Sequence, residues 1–218
     1  MPTVAVTLFK ACLVFLTLLG LSAHASVAAN TAPVPSAREL VINTSQAFID
    51  SLQKHREAIK QDAAVAYRLA EDTVIPHLDF ARITRWVLGK HWLNANAAQR
   101  ERLTREFRAL LTHSYVSAMV TYADQILRHA DNVQFPPGRS RQDSDKAVVT
   151  MLIELEGGKQ VAVQYQMYLS GTAWKIYDVQ IEGISLALTY RSTFSQEIAQ
   201  AGIDGLIASL AERNRTTK

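Results

Sequence analysis

The spacing of apolar residues changes near residue 130, and this change constrains the fold more than any other feature. Before it, apolar side chains recur every three or four residues, which is the pattern of helices with one buried face. After it, Val, Ile, Tyr and Thr become frequent and side chains alternate with a period of two, as in strands. Helical spacing returns after residue 185. Runs of helix, then strand, then helix predict an α+β fold and argue against an alternating parallel sheet.

Cap and turn residues divide the chain into elements. Asp79 is placed to cap a short helix that Gly89 ends, and Asn96 is placed to cap a long one. Gly157 and Gly171 mark turns between strands, which predicts antiparallel hairpins. The predicted helices cover 37–59, 62–75, 80–88, 97–127, 185–200 and 203–213, and the predicted strands cover 133–135, 146–155, 160–169 and 173–181.

The first 25 residues have the pattern of a secretory signal peptide. Lys10 precedes an apolar run at 11–21, and Ala23 and Ala25 stand at positions −3 and −1 of a cleavage site. The run is about half the ~20 residues that a membrane-spanning helix needs, which favours cleavage over a permanent anchor. We therefore predict a signal peptide at 1–25, a flexible N-terminus at 26–36 and one domain at 37–218. Cleavage predicts a periplasmic protein.

Composition restricts the chemistry of the mature chain. The only cysteine, Cys12, lies within the predicted signal peptide, which excludes a disulfide, a thiolate nucleophile and a cysteine zinc site from the mature protein. The chain has 23 basic and 20 acidic residues, and loss of Lys10 leaves a net charge of +2, too small to indicate nucleic-acid binding. The histidines have no i, i+4 metal spacing and no catalytic or nucleotide-binding motif occurs. We therefore predict no metal, no cofactor and no catalysis.

The two longest predicted strands each have a largely apolar face. The residues on these faces include Val149, Met151, Ile153, Val161, Val163, Tyr165 and Met167. Apolar strand faces normally pack on helices as core. If the sheet curves, the same faces instead line a cavity, and the residues alone leave both interpretations open.

Two tryptophans lie in a basic setting. Trp86 and Trp92 flank Lys90 and His91, and indole rings favour boundaries between apolar and wet surroundings. A contact with a membrane surface or a partner is one interpretation of this group. Core packing of both rings is the other.

Three segments carry a resemblance to a known family. The first segment is 74–80 (VIPHLDF), which continues to 87–92 (VLGKHW). The second, on the predicted long helix, consists of Gln99-Arg100, Phe107, Leu110-Leu111 and Tyr115. The third is 174–186 (WKIYDVQIEGISL), which continues to 190–194 (YRSTF) and 202–207 (GIDGLI). In this order and spacing they resemble the MlaC family of periplasmic phospholipid-binding proteins, also called the toluene-tolerance auxiliary family.

The resemblance implies a fold in which helices pack on a curved antiparallel sheet of about four strands and enclose an apolar lipid pocket. It also implies a monomeric carrier that moves phospholipid between an outer-membrane lipoprotein–porin complex and an inner-membrane ABC transporter, maintaining outer-membrane lipid asymmetry. No nucleic acid is involved.

Residue assignments follow from placing the strand faces and aromatic ends around that pocket. The seven strand-face residues named above become its walls. The expected rim residues are Trp86, Tyr177, Tyr190 and Phe194. Arg191 either faces a lipid phosphate or pairs with Asp178 or Glu182.

Three alternatives accompany the phospholipid carrier. One is a carrier of another apolar molecule, such as a hopanoid or sterol. The second is a small periplasmic isomerase-like enzyme that uses Asp178 or Asp79 as its base. The third is a structural adaptor with a filled core.

Overall fold

A computed structural model describes residues 34–216, so the predicted signal peptide and most of the predicted flexible N-terminus lie outside the described residues. Within this part of the chain the helices are α1 (Ala37–Lys54), α2 (Arg56–Gln61), α3 (Ala64–Thr73), α4 (Phe80–Leu88), α5 (Lys90–Asn94), α6 (Ala97–Thr121), α7 (Ala123–Arg128) and α8 (Arg191–Thr216). Gly202, with a non-helical backbone (φ of +72°), divides α8 into two halves at the predicted break. The strands are β1 (Val133–Gln134), β2 (Arg141–Gln142), β3 (Lys146–Glu154), β4 (Gln160–Ser170), β5 (Ala173–Ile181) and β6 (Ile184–Ser185).

Side-chain caps fix where the main helices begin. Asn96 accepts the amide of Gln99 at 2.9 Å, and the Gln99 side chain accepts the amide of Asn96 at 3.0 Å, which forms a capping box at the start of α6. Asp79 accepts the amide of Arg82 at 2.9 Å and starts α4. Gly89, with φ of +52°, follows the last residue of α4. The predicted caps and the predicted helix at 80–88 are confirmed.

Several predicted boundaries were wrong. The helix predicted at 37–59 breaks at His55, and the long helix breaks at Tyr122. The helix predicted from residue 185 begins only at Arg191, because the Ser185 hydroxyl donates to Asp178 and accepts the amide of Leu188. A hydroxyl used in this way stabilises a turn and competes with helix formation.

The sheet is antiparallel, curved and open, with strand order β1-β3-β4-β5-β6, and β2 extends the side of β3 that β1 occupies. The outer edge of β5 is largely covered. Leu78 bridges Ile176, the amide of Asp79 donates to the Ile176 carbonyl at 2.9 Å, and the amide of Leu186 donates to the Val179 carbonyl at 2.9 Å. The α+β prediction is confirmed. The three long strands β3, β4 and β5 carry most of the sheet, and the strand predicted at 133–135 is the two-residue β1.

The described residues bury three apolar clusters instead of one continuous core. One cluster joins α4, α6 and α8 around Phe107 and Phe194. A second packs the start of α1 on the sheet, with Val41 against Val149 and Met167 in the group. The third joins α1, α2, α3 and α6. Their separation leaves space between the helices and the sheet.

Candidate functional site

A cavity of about 450 Å³ lies where the three clusters meet. Each cluster contributes to its wall: Phe80 and Leu111 from the first, Val41 from the second, and Phe48 from the third. Its volume lies within the ~300–1,000 Å³ range of ordinary ligand pockets. The lining is almost entirely apolar, so an apolar ligand would bury its surface there without leaving protein polar groups unpaired.

A bulge in β5 shapes the sheet wall. Gln166 pairs with Asp178 and Met167 pairs with Ile176, so Tyr177 is the extra residue on β5. The bulge changes which side chains point inward: Ile176 lines the cavity before it, and Val179 lines the cavity after it. Without the extra residue, a period of two would send these two side chains to opposite faces of the sheet.

Two phenols face this apolar space. Burial raises the pKa of Tyr165 to about 12, and Ser45, which also lines the cavity, opposes this shift with a hydrogen bond. Burial raises the pKa of Tyr115 to about 12, with additions from Tyr190 and Asp178. Loss of the phenolic proton is disfavoured in both cases because the phenolate would be poorly solvated. The phenols therefore stay neutral in the pH range of life.

Asp178 is a buried carboxylate in the cavity wall, with an exposed fraction of 3%. One of its oxygens accepts the Ser185 hydroxyl at 2.5 Å, and the other accepts the Gln180 amide at 3.1 Å. The Asp79 carboxylate is likewise occupied, by the amide of Arg82 and by the Tyr168 hydroxyl. Both carboxylates thus have structural hydrogen bonds.

The mouth of the cavity lies between the end of α6 and the end of β5. The cavity-lining residues Tyr122 and Ile181 are 56% and 39% exposed, and Ala118 is exposed beside them. Ile184, the β6 neighbour of Ile181, is 63% exposed. The rim is therefore apolar and open to solvent, and its aromatic member comes from the break between α6 and α7.

The structure divides the seven predicted wall residues. Val163 and Tyr165 line the cavity. Val149 and Met167 belong to the cluster that the first turns of α1 cover, and the Met151 sulfur lies 3.8 Å from the Tyr165 hydroxyl, behind the wall. Ile153 and Val161 pair with each other near β1, away from the lining.

The predicted rim residues lie outside the cavity lining. Phe194 and Tyr190 pack with Phe107 in the first cluster, where the Phe194 and Phe107 rings meet edge to face at 5.1 Å. Tyr177 lies 6.2 Å from Tyr168, and the Arg82 guanidinium lies 3.8 Å from the Tyr168 ring and 5.0 Å from the Tyr177 ring.

Arg191 and Trp86 are partners at the surface. The Arg191 guanidinium donates to the backbone carbonyls of Trp86 and Val87 and lies 5.6 Å from the centre of the Trp86 ring. Among the described residues, neither Asp178 nor Glu182 forms an ion pair with Arg191. Its hydrogen bonds to carbonyls instead stabilise the last turn of α4.

The helix side of the cavity was missing from the predicted site. Its principal residues are Leu40, Phe48, Ile83, Leu111, Tyr115 and Met119. The helical stripe of the long helix includes Leu111 and Met119, so their burial is visible in the sequence. Their position beside a void is not, because core and lining residues share one apolar pattern.

No metal-binding group of side chains occurs between residues 34 and 216. None of the helices described there is long and apolar enough to cross a bilayer.

A curved sheet roofed by helices around an apolar cavity defines a domain built to enclose a hydrophobic ligand. The profile of the MlaC protein family matches residues 42–212, and the chain belongs to this family. The resemblance found in the sequence is thereby confirmed.

Known proteins resemble the chain over most of its length. It is 21% identical over 176 residues to the intermembrane phospholipid transport system binding protein MlaC of Haemophilus influenzae, covering 79% of each chain. It is 24% identical over 175 residues to the toluene tolerance protein ttg2D of Pseudomonas putida, covering 80% of this chain and 78% of that protein.

A solved structure shares the fold. The phospholipid-binding protein of Ralstonia solanacearum, determined in complex with a phospholipid, matches with a TM-score of 0.70 and 24% identity. The match covers 84% of this chain and 99% of that one.

Proposed function

We propose that this protein is a phospholipid-binding carrier that works in the periplasm without catalysing a reaction. The observation that carries the proposal is the apolar cavity of about 450 Å³, which opens at a rim formed by Tyr122 and Ile181. Each acyl CH₂ withdrawn from water contributes about 0.8 kcal/mol, so phospholipid does not cross an aqueous space unaided at a useful rate. An apolar cavity gives the acyl chains an apolar environment while the lipid crosses that aqueous space.

The shape of the site favours insertion of acyl chains with the head group outside. The interior offers a dry wall of Val163, Ile176 and Val179, whereas the rim is open to solvent. No cation lines the cavity among the described residues, so a lipid phosphate would find no strong electrostatic partner inside. Weak head-group contact suits a carrier, which has to release its cargo.

Membership of the MlaC family supports a place in lipid transport between the two membranes. As the family resemblance implies, the partners would be an outer-membrane lipoprotein–porin complex and an inner-membrane ABC transporter. In this proposal residues 1–25 direct export and are removed, and residues 37–218 are one monomeric lipid-binding domain.

The hydrogen bonds of Asp178 and Asp79 favour binding over isomerase chemistry. A general base has to reach the substrate, yet Asp79 is absent from the cavity lining, and Asp178 is buried with both oxygens accepting protein donors. The cavity itself disfavours an adaptor with a filled core.

Native mass spectrometry of protein purified from a bacterium that expresses the full chain, followed by lipid extraction, tests the proposal. We expect a mass that lacks the signal peptide and carries a phospholipid adduct. A hopanoid or sterol adduct would identify a different apolar cargo. A folded protein that is free of lipid, and that fails to take up added phospholipid, would overturn the carrier proposal.

A further inference from the structure

The outer surface of α4 and α5 has a composition unlike the rest of α4. On the inner side of α4, Phe80 and Ile83 line the cavity. On its outer side Trp86 is 45% exposed, and Leu93 on the neighbouring α5 is 70% exposed. Single exposed apolar side chains are ordinary on protein surfaces, so these two are of interest because of the basic residues near them in the sequence.

The segment that carries these two apolar residues is basic, although Asp79 and Glu101 stand at its two ends. Residues 80–100 contain Arg82, Arg85, Lys90 and Arg100 but no Asp or Glu. We give the name tryptophan patch to Arg85, Trp86, Lys90 and Leu93, which lie on α4 and α5, together with Arg100 and Arg191, which donate hydrogen bonds to backbone carbonyls of these helices.

Two arginines are held in the patch by neutral partners. Arg191 donates to the carbonyls of Trp86 and Val87, as described above. Arg100 donates to the carbonyl of Trp92 at 3.0 Å and to that of Leu93 at 3.4 Å. These bonds fix the guanidinium groups against α4 and α5 without neutralising their charge.

Among the described residues, none of the ion pairs includes a residue of the tryptophan patch. The contrast lies on α6 itself, where Arg105 pairs with Glu106 and Arg108 pairs with Glu71. Arg105 and Arg108 are therefore compensated, whereas the basic residues of the tryptophan patch are not.

We propose that the tryptophan patch docks the protein on the surface of an anionic lipid bilayer. Indole rings favour the boundary between head groups and acyl chains, and basic residues are attracted to anionic lipids. The exposed apolar part is one indole and one leucine, far from the ~1,000 Å² and the continuous apolar centre that a stable protein interface needs. Peripheral contact of this size is weak, reversible and sensitive to salt.

Docking on a bilayer is a property beyond lipid carriage, and α4 contributes residues to both the cavity and the tryptophan patch. The same helix lines the cavity with Phe80 and Ile83 and carries Arg85 and Trp86 on its outer side. A carrier held on a leaflet would stay near its source or destination of lipid between transfers.

Vesicle binding tests the patch separately from the cavity. Protein from the full chain is mixed with phosphatidylcholine vesicles that contain or lack phosphatidylglycerol, at low and high ionic strength. The Arg85→Gln/Lys90→Gln variant removes two patch charges, and the Arg141→Gln/Lys146→Gln variant is the matched control at exposed positions of β2 and β3. Phospholipid uptake into each protein is measured in parallel, so a failed cavity and a failed patch give different results.

We expect wild type to bind only the anionic vesicles and to be released by high salt. Each basic residue removed should lower the affinity for anionic vesicles about fivefold, so the patch variant should bind about twenty-five-fold more weakly. The control variant should bind with little change in affinity. Binding should shift the tryptophan emission to the blue, and Trp86→Phe should remove the shift. Wild type that takes up phospholipid but does not bind anionic vesicles would overturn the proposal. Equal losses in the two charge variants would also overturn it.

Discussion

The Ser185 hydroxyl donates a 2.5 Å hydrogen bond to the Asp178 carboxylate, seven residues earlier in the chain. The same hydroxyl accepts the amide of Leu188 at 3.0 Å. Ser185 therefore connects the cavity wall on β5 with the turn that leads into α8. The connection lies next to Ile184, an exposed residue beside the mouth of the cavity.

Ser185→Ala should destabilise the fold. The substitution removes one of two donors to a buried carboxylate, which costs about 2 kcal/mol for a hydrogen bond to a charged group. Urea unfolding measures this loss, and Ser144→Ala, at an exposed position between β2 and β3, is the control. Equal stability of the Ser185→Ala variant and wild type would contradict a structural role for this bond.

Val163→Glu should reduce phospholipid loading more than it reduces stability. A carboxylate at this position would face the cavity, where an acyl chain cannot solvate it. Gln164→Glu is the control, because residue 164 points to the other face of β4. Lipid bound per protein, from mass spectrometry, is compared with the urea midpoint of each variant.

Ala118→Trp tests the same cavity at a position where folding is not at risk. Ala118 is an exposed residue of the cavity wall near the mouth, so an indole there should obstruct entry without disturbing the core. Ala98→Trp, at an exposed position of the same helix outside the lining, is its control. Normal loading by a folded Ala118→Trp variant would show that ligand enters elsewhere.

The buried phenols predict how stability depends on alkaline pH. Tyr115 and Tyr165 have native pKa values of about 12, against 10.0 for an ordinary phenol. Between these values the unfolded chain has released protons that the native protein still holds, so the free energy of unfolding falls as pH rises from about 10 to 12. Below pH 10 this contribution is complete.

Spectrophotometric titration of phenolate checks these assignments. Tyr165→Phe should remove one of the last phenols to titrate and should weaken the alkaline decline in stability. In denaturant all seven tyrosines of wild type should titrate together near pH 10. If the phenols that titrate last were equally numerous in Tyr165→Phe and wild type, the Tyr165 hydroxyl of wild type would have to be in contact with water.

Phe194→Ala should act on stability, since Phe194 is 2% exposed and packs in the cluster of α4, α6 and α8. Removal of such a ring costs about 3–5 kcal/mol. Tyr122→Ala, at an exposed aromatic of the mouth, should cost much less stability but should alter lipid exchange. If Phe194→Ala changed lipid loading without changing the unfolding midpoint, the assignment of Phe194 to the core would be contradicted.

The order of elements follows from local signals in the sequence. Asp79 and Gly89 define α4 without any knowledge of the tertiary structure, and period-two spacing identifies β3 and β4. Where tertiary contacts compete with local preference the predicted boundary shifts, as at Ser185, whose hydroxyl is used by Asp178. The two-residue strands β2 and β6 are too short to leave a periodic signal.

The cavity was predictable only in part, because it depends on where a helix fails to cover the sheet. Val149 and Tyr165 are directly paired and share one face of the sheet, yet α1 covers Val149 while Tyr165 faces the void. Alternation assigns a side chain to a face and cannot say which part of that face is covered. The bulge at Tyr177, which turns Val179 inward, has no signature in the local pattern of apolar residues.

The covered edge of β5 has a consequence for solubility. A protein with an open apolar mouth already presents one adhesive surface, and an exposed strand edge beside it would add a template for pairing between molecules. Here the backbone of residues 78–79 and 184–186 occupies hydrogen-bonding positions along β5. The cavity can therefore stay open to an apolar ligand while the edge of β5 is unavailable for strand pairing with another molecule.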